Sequence, residues 1–482
     1  MGTDRRHLLA RRDFLRYLTA GAGVLAAACA PAAAPAPTAA PAKPAETKPA
    51  DAAKPVAGAP TAAAQPAAAA KSTGTKLTVW GWQSFTPEGD KALGDQMQEW
   101  GSANRTDIEY VVVENAQFTQ KLAAAVEGKA APDITMLTNP SNVLDYAGRE
   151  LFADIADVWR DVSKQAGGFL KYVEDYYTIG NAYFAIPFEA DTSPLFTRLD
   201  LVEKATGKRE PPKTFDELTQ AAKQINQPPG LHALGLCLGR VPDCESDAVG
   251  TIWNDGGALV DKEGKVALNS PETVAAMQRL KGWWDDKLIP PGATTWDDTG
   301  NNSAYQAKQV AFVRNPPSIY AWMQTNDKEL LENSTMAPFP AGKSGSYAAS
   351  GAWSWSVFNT SKNVDGAKDL IRHLMDPKRL QTVYAAVGGR WYPIYLDGQK
   401  DEYWTSRPIF KFYPDLLAGG RGLWWPAQPD PKLMAAIGEV RTRNVIPDMV
   451  QEIIVKGASV EESVKMAHDS MVEIFRGRGA KV

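Results

Sequence analysis

Fifteen tryptophans in a chain of 482 residues are the side chains best suited to meeting a ligand. Trp82, Trp253, Trp296, Trp353, Trp355, Trp391, Trp424 and Trp425 fall in stretches with loop signals. An aromatic side chain buries about 150–250 Å². At about 25 cal/mol per Å², partial use of one face contributes one to a few kcal/mol. A saccharide ring packs its polarised C–H patches on such faces, while its hydroxyls need Asp, Glu, Asn, Gln or Arg at the rim. Two or three platforms with polar contacts reach micromolar affinity, about 8 kcal/mol.

Other chemistries find less support. The four histidines, His7, His232, His373 and His468, are dispersed, and no His or Cys spacing fits a metal. Glu189 and Asp191, two apart in an extended segment, share a face as the acid and base of a secreted glycoside-active enzyme would. No distinct second carboxylate is marked, and there is neither a nucleophile elbow nor a phosphate loop. A non-enzyme without cofactor or metal is the expectation. With 52 basic against 56 acidic residues and a net charge of −4, and no Lys/Arg block in the folded part, nucleic acid is not an expected partner. Cys237 and Cys244 are an even pair at close spacing. A disulfide there would pin one loop for about 2–3 kcal/mol, and two free thiols remain the alternative.

The chain opens with an export signal. Arg11-Arg12-Asp13-Phe14-Leu15 precedes an uncharged stretch, Tyr17 to Ala28, too short and too weakly apolar to span a membrane. The paired arginines resemble a twin-arginine signal over residues 1–28. Leu25-Ala26-Ala27-Ala28-Cys29 resembles a lipoprotein cleavage site, with the leucine one position early, so Cys29 becomes the acylated first residue. Residues 29–75 are mostly Ala and Pro, a composition that cannot build a core. As coil or polyproline helix this tether reaches about 40 Å to about 140 Å. Dual acylation would hold the domain near a membrane.

From Lys76 onward the chain is long enough for two lobes. Leu77-Thr78-Val79-Trp80, Ile108 to Val113 and Asp133 to Leu137 read as strands. A helix after Pro87 and another with Phe118, Leu122 and Val126 on one face separate them. This alternation implies an α/β fold of mainly parallel sheets with ligand loops beyond the strand ends, near Gly81-Trp82-Gln83 and Thr138-Asn139-Pro140-Ser141. Thr214 and Glu217 form a capping box, and Ser270 caps a helix whose first residue is Pro271. Val274, Met277, Leu280 and Trp284 line that helix's face, and Ala367, Leu370, Ile371 and Leu374 line another.

The order of these segments resembles the extracellular solute-binding proteins of the carbohydrate-importing group that includes maltose-binding protein. The resemblance runs over residues 76–475 and rests on Leu77-Thr78-Val79-Trp80, Ala131-Pro132-Asp133-Ile134, Ala182 to Phe188, Pro211 to Leu218, Asn269-Ser270-Pro271-Glu272, Pro290-Pro291-Gly292-Ala293 and Phe312 to Pro317. It implies a type II periplasmic-binding-protein-like fold, with one lobe of residues 76–186 plus 341–388, a second of 188–336 plus 390–482, and a cleft between them. Crossings are implied near 187–191, 337–340 and 389–393. The resemblance also implies a monomer that hands a carbohydrate to the permease subunits of an ABC importer outside the cytoplasm. A phosphorylated or other non-carbohydrate solute, and a sensing role, stay open. Matching segments nominate Trp82, Trp253, Trp353 and Trp391 as stacking surfaces, with Trp355 either beside Trp353 or packed beneath it. They nominate Gln83, Asn139, Glu189, Asp191, Asn315 and Arg390 as polar contacts. The family often has Gly where this chain has Pro316. Arg390 can stack on Trp391, pair with Glu189 or meet an anionic group such as a sugar phosphate or uronate.

Overall fold

A computed structural model describes residues 75–138, 140–177 and 183–482. The export signal, Cys29, nearly all of the tether, Asn139 and Ala182 lie outside the described residues.

The chain begins its fold with a strand, Lys76–Trp82, whose Leu77 and Val79 point into the core. This strand pairs in parallel with Asp107–Val113 on one side and Ile134–Leu137 on the other. The connecting helices, Pro87–Ala103 and Asn115–Glu127, are the crossovers that parallel pairing demands. Ser354–Val357, arriving from much later in the chain, adds antiparallel to Ile134–Leu137, and Ile186–Pro187 closes that edge. A second sheet runs in the order His232–Leu234, Val310–Arg314, Leu195–Arg198, Ser334–Ala337. Its first pair is parallel and the other pairs antiparallel. The parallel expectation therefore describes the opening strands, whereas strands that return late in the sequence enter antiparallel.

Helix boundaries follow local chemistry. Thr214 Oγ1 accepts the Glu217 N–H at 3.2 Å, while Glu217 Oε2 reaches past the cap to the Lys213 N–H at 2.7 Å. Ser270 Oγ accepts from the Thr273 N–H at 3.1 Å, ahead of Pro271 at the first position. In this helix, Pro271–Asp285, Met277 and Leu280 are buried as expected, while Val274 and Trp284 are only partly buried against the core. Trp283, not Trp284, is buried, because its indole N–H finds Thr219 Oγ1 at 2.8 Å. Ala367, Leu370, Ile371 and Leu374 are all buried in Val364–Leu374.

Two features link the sheets. Helix Pro140–Gly148, directly after the strand Ile134–Leu137, lies against helix Pro431–Thr442. Between Ala386 and Arg390 the chain turns through Gly388 and Gly389, at φ +62° and +80°. A side chain at Gly389 would also meet the Phe410 ring at 2.8 Å, so glycine is required twice over. Among the described residues no helix is long and apolar enough to cross a membrane.

Candidate functional site

Three short backbone pairings gather residues from distant parts of the chain. Asp191–Thr192 pairs antiparallel with Ser350–Gly351. Ala190 and Tyr392 exchange hydrogen bonds of 2.9 and 3.4 Å. Ala349 bridges Arg421, whose carbonyl accepts the Ser350 N–H at 3.1 Å. The first two segments lie where the chain leaves one sheet for the other, so this ribbon sits at the junction.

An aromatic cluster stands beside it. Trp82, the last residue of the opening strand, stacks on Phe118 at 5.0 Å and 19° and leans on Trp353 at 6.1 Å. Trp353 in turn meets the edge of Trp391 at 5.4 Å. The Arg390 guanidinium lies 5.4 Å from the Trp353 ring centre and donates through Nη1 to Asp191 Oδ1 at 3.2 Å. Arg390 thus stacks on Trp353 and pairs with Asp191, in place of the Trp391 and Glu189 contacts open to it in sequence. Gln83 is exposed at the rim, and Trp82 and Asp191 are half-buried.

Trp353 and Arg390 are themselves buried, and the remaining nominated residues among those described are enclosed as well. Glu189 is wholly buried. Its Oε1 accepts the Trp353 N–H at 2.7 Å, and Oε2 has no partner in the protein. Burial, then the neighbouring Asp191 charge, raises its carboxyl well above the usual range, against the pull of Arg390 and the Trp353 amide. Glu189 thus holds the Trp353 backbone from behind, with its second carboxylate oxygen unpaired. Trp355 is also corrected, since it is fully buried and stacked on Phe188 at 5.0 Å. Trp353 precedes the strand Ser354–Val357, so strand alternation does not relate the two rings, and of the two places open to Trp355 in sequence it takes the packed one. Asn315 is buried and committed to Asn301, Ser318 and the Pro316 carbonyl. Trp391 and Trp253 are fully buried too, with indole N–H groups that find no partner in the protein. Trp391 is covered by Phe188 and Trp353, and Trp253 lies edge-on to Trp425.

The expected disulfide is absent, for Cys237 and Cys244 are both free and buried. Cys244 lies within the helix Pro242–Asp255, and burial pushes both thiols up. Among the described residues no cluster of His, Cys, Asp and Glu is arranged to hold a metal.

Sequence reasoning passed over Arg421 and Tyr347. Arg421 Cζ lies 3.1 Å from the Tyr347 ring centre and 3.4 Å from that of Trp425. An arginine set in Gly419-Gly420-Arg421-Gly422, just before Leu423-Trp424-Trp425, was the available signal.

Residues 92–411 match the model of the bacterial extracellular solute-binding protein family, and the chain belongs to that family. A probable ABC transporter-binding protein of Deinococcus radiodurans is 32% identical over 204 residues, 41% of this chain and 48% of that relative. The chain thus spans about half the length of that relative. The arabinooligosaccharide-binding protein of Bacillus subtilis is 23% identical over 369 residues, covering 73% of this chain and 80% of its own. Maltose-bound MalE3 of T. maritima superposes with a TM-score of 0.72 at 23% identity, over 82% of this chain and 99% of that one. A tagatose-bound solute-binding protein of Thermotoga lettingae gives 0.72 at 19% identity, over 83% and 100%. The fold is that of a type II periplasmic binding protein.

Proposed function

We propose that this chain captures a carbohydrate between two lobes and presents it to the permease of an ABC importer. The observation that carries the reading is the junction itself. Half-buried Trp82, backed by the buried Trp353 and Trp391 from distant parts of the chain, lies beside the Arg390–Asp191 pair on the ribbon between the sheets. Aromatic faces next to a neutralised charge pair suit a ligand with C–H patches and many hydroxyls. The arabinooligosaccharide-binding relative and maltose-bound MalE3 support this substrate class. The transporter-binding relative supports the importer.

On this reading the lobes comprise residues 76–186 plus 341–388 and 188–336 plus 390–482, and closure proceeds about the ribbon. Ligand favours the closed form because only there do both lobes contact it. No bond is made or broken. Gln83 and Asn139 serve as rim contacts. Cys29 carries the lipid and residues 29–75 the tether, so that a monomer works close to its permease.

The test is a thermal-shift screen against mono-, di- and oligosaccharides, followed by calorimetry. A ligand at one hundred times its dissociation constant adds about 2.7 kcal/mol. A saturable saccharide recovered unchanged supports the proposal, whereas turnover or silence across the panel overturns it. For the anchor, mass spectrometry of the mature amino terminus should find diacylglycerol on Cys29. A Cys29→Ser chain should appear in the soluble fraction.

A further inference from the structure

The two arginines on the junction ribbon are not in the same electrical state. Arg390 is neutralised by Asp191 at 3.2 Å. Arg421 forms no ion pair with any carboxylate among the described residues, and its Nη1 is sealed from solvent with no partner in the protein. Burial lowers the Arg421 guanidinium, against the opposing charge of, and hydrogen bond to, the Tyr347 phenol. A half-buried cation without a counter-ion is unfavourable unless one arrives from outside.

Its setting restricts what can arrive. Tyr347 and Trp425 are nearly parallel, 26° apart with centres separated by 6.2 Å, and the guanidinium is gripped between them. With a ring centre 3.1 and 3.4 Å from Cζ on either side, approach along that axis is blocked, and a ligand must come to the N–H groups from the side. Tyr347 is itself fixed: its N–H donates to Asn254 Oδ1 and its hydroxyl to the Ser344 carbonyl, each at 2.8 Å. Beneath Trp425 lies Trp253, fully buried, whose indole N–H is likewise without a partner. In-plane guanidinium donors accept a planar carboxylate in bidentate fashion. One guanidinium matches one negative charge, whereas a phosphate dianion would leave an excess. Arg421 pairs with Ala349, the residue before Ser350, and so stands roughly 10 Å, two strand spacings, from Asp191–Thr192.

We propose that Tyr347, Arg421 and Trp425 form a carboxylate-reading subsite at the edge of the cleft, so that the chain selects acidic saccharides of the uronate type. This rests on the carbohydrate-binding reading above and names the ligand's charge.

The experiment is calorimetry on the full chain with twins that differ only in CH2OH against carboxylate. The probes are glucose and glucuronate, galactose and galacturonate, mannose and mannuronate, and the corresponding homodisaccharides. The expected result is an acidic member bound more than tenfold tighter than its neutral twin, with that ratio falling toward one in Arg421→Gln. Circular dichroism of the variant checks its fold. Arg421→Lys, which keeps charge but not the planar fork, should retain part of the ratio. Preference for the neutral twin overturns the inference and leaves the carbohydrate reading standing. An acidic preference that survives Arg421→Gln overturns the assignment of the subsite. Binding of no saccharide of either kind overturns both.

Discussion

Trp353 joins three functions in one residue: its amide holds Glu189, its ring meets Trp82 and Trp391, and Arg390 lies over its face. Trp353→Phe keeps the amide and an aromatic ring but shrinks the platform. It should weaken ligand affinity by about tenfold, equivalent to about 1.4 kcal/mol, with a cooperative melt retained; calorimetry beside thermal unfolding checks this. Glu189 supplies a pH dependence. Its folded-state carboxyl titrates well above 4.5, so the folded chain holds a proton that the unfolded chain releases. Stability from this group is fully present below about 4.5 and is lost as pH rises toward the raised value. Asp247, raised to about 7 by burial against the pull of Arg314, acts in the same sense from 3.8 upward. Urea midpoints between pH 4.5 and 8 should therefore decline, and Glu189→Gln should flatten its share of the slope. An unchanged slope would show that Glu189 is ionised in the fold.

Individual elements were the most legible part of the sequence. The Thr214 and Ser270 caps can be read from three or four adjacent residues, because a cap is a local bond. Thr214→Ala should cost about 1 kcal/mol in urea unfolding without moving ligand affinity. At the end of the Pro271–Asp285 stripe Trp283 is buried where Trp284 was expected, because its partner Thr219 sits on another helix. Links between helices are equally invisible in sequence. Asp157, in helix Ala156–Val162, meets Lys368 and Arg372 at 2.9 and 2.7 Å. Burial works against its charge, but these two cations win and lower its carboxyl to about 2. That contribution is present above 3.8 and is lost as pH falls through about 2. Asp157→Asn should cost no more than about 1 kcal/mol at neutral pH, since water screens this surface cluster; denaturation at high and low salt checks it.

At the scale of the whole molecule, the strand and helix alternation foretold an α/β architecture. The contents of the junction were less legible, because they depend on pairings such as Asp191 with Gly351 and Ala349 with Arg421. The nominated Trp82, Trp353, Asp191 and Arg390 do lie beside one another. Sequence could not choose between the two places open to Trp355, because its partner Phe188 comes from a distant strand end. If closure proceeds about this ribbon, saturating ligand should reduce the radius of gyration in small-angle scattering, and no change would speak against hinge closure. The unpartnered polar atoms near the ribbon, Glu189 Oε2, Arg390 Nε and Trp391 Nε1, add an asymmetry. Each such buried atom costs about 1–3 kcal/mol when left unmatched. On the proposed closure about this ribbon, a ligand group that reached these atoms would relieve the penalty in the loaded form alone. An empty carrier would then rest ajar, and the permease would meet mostly loaded ones.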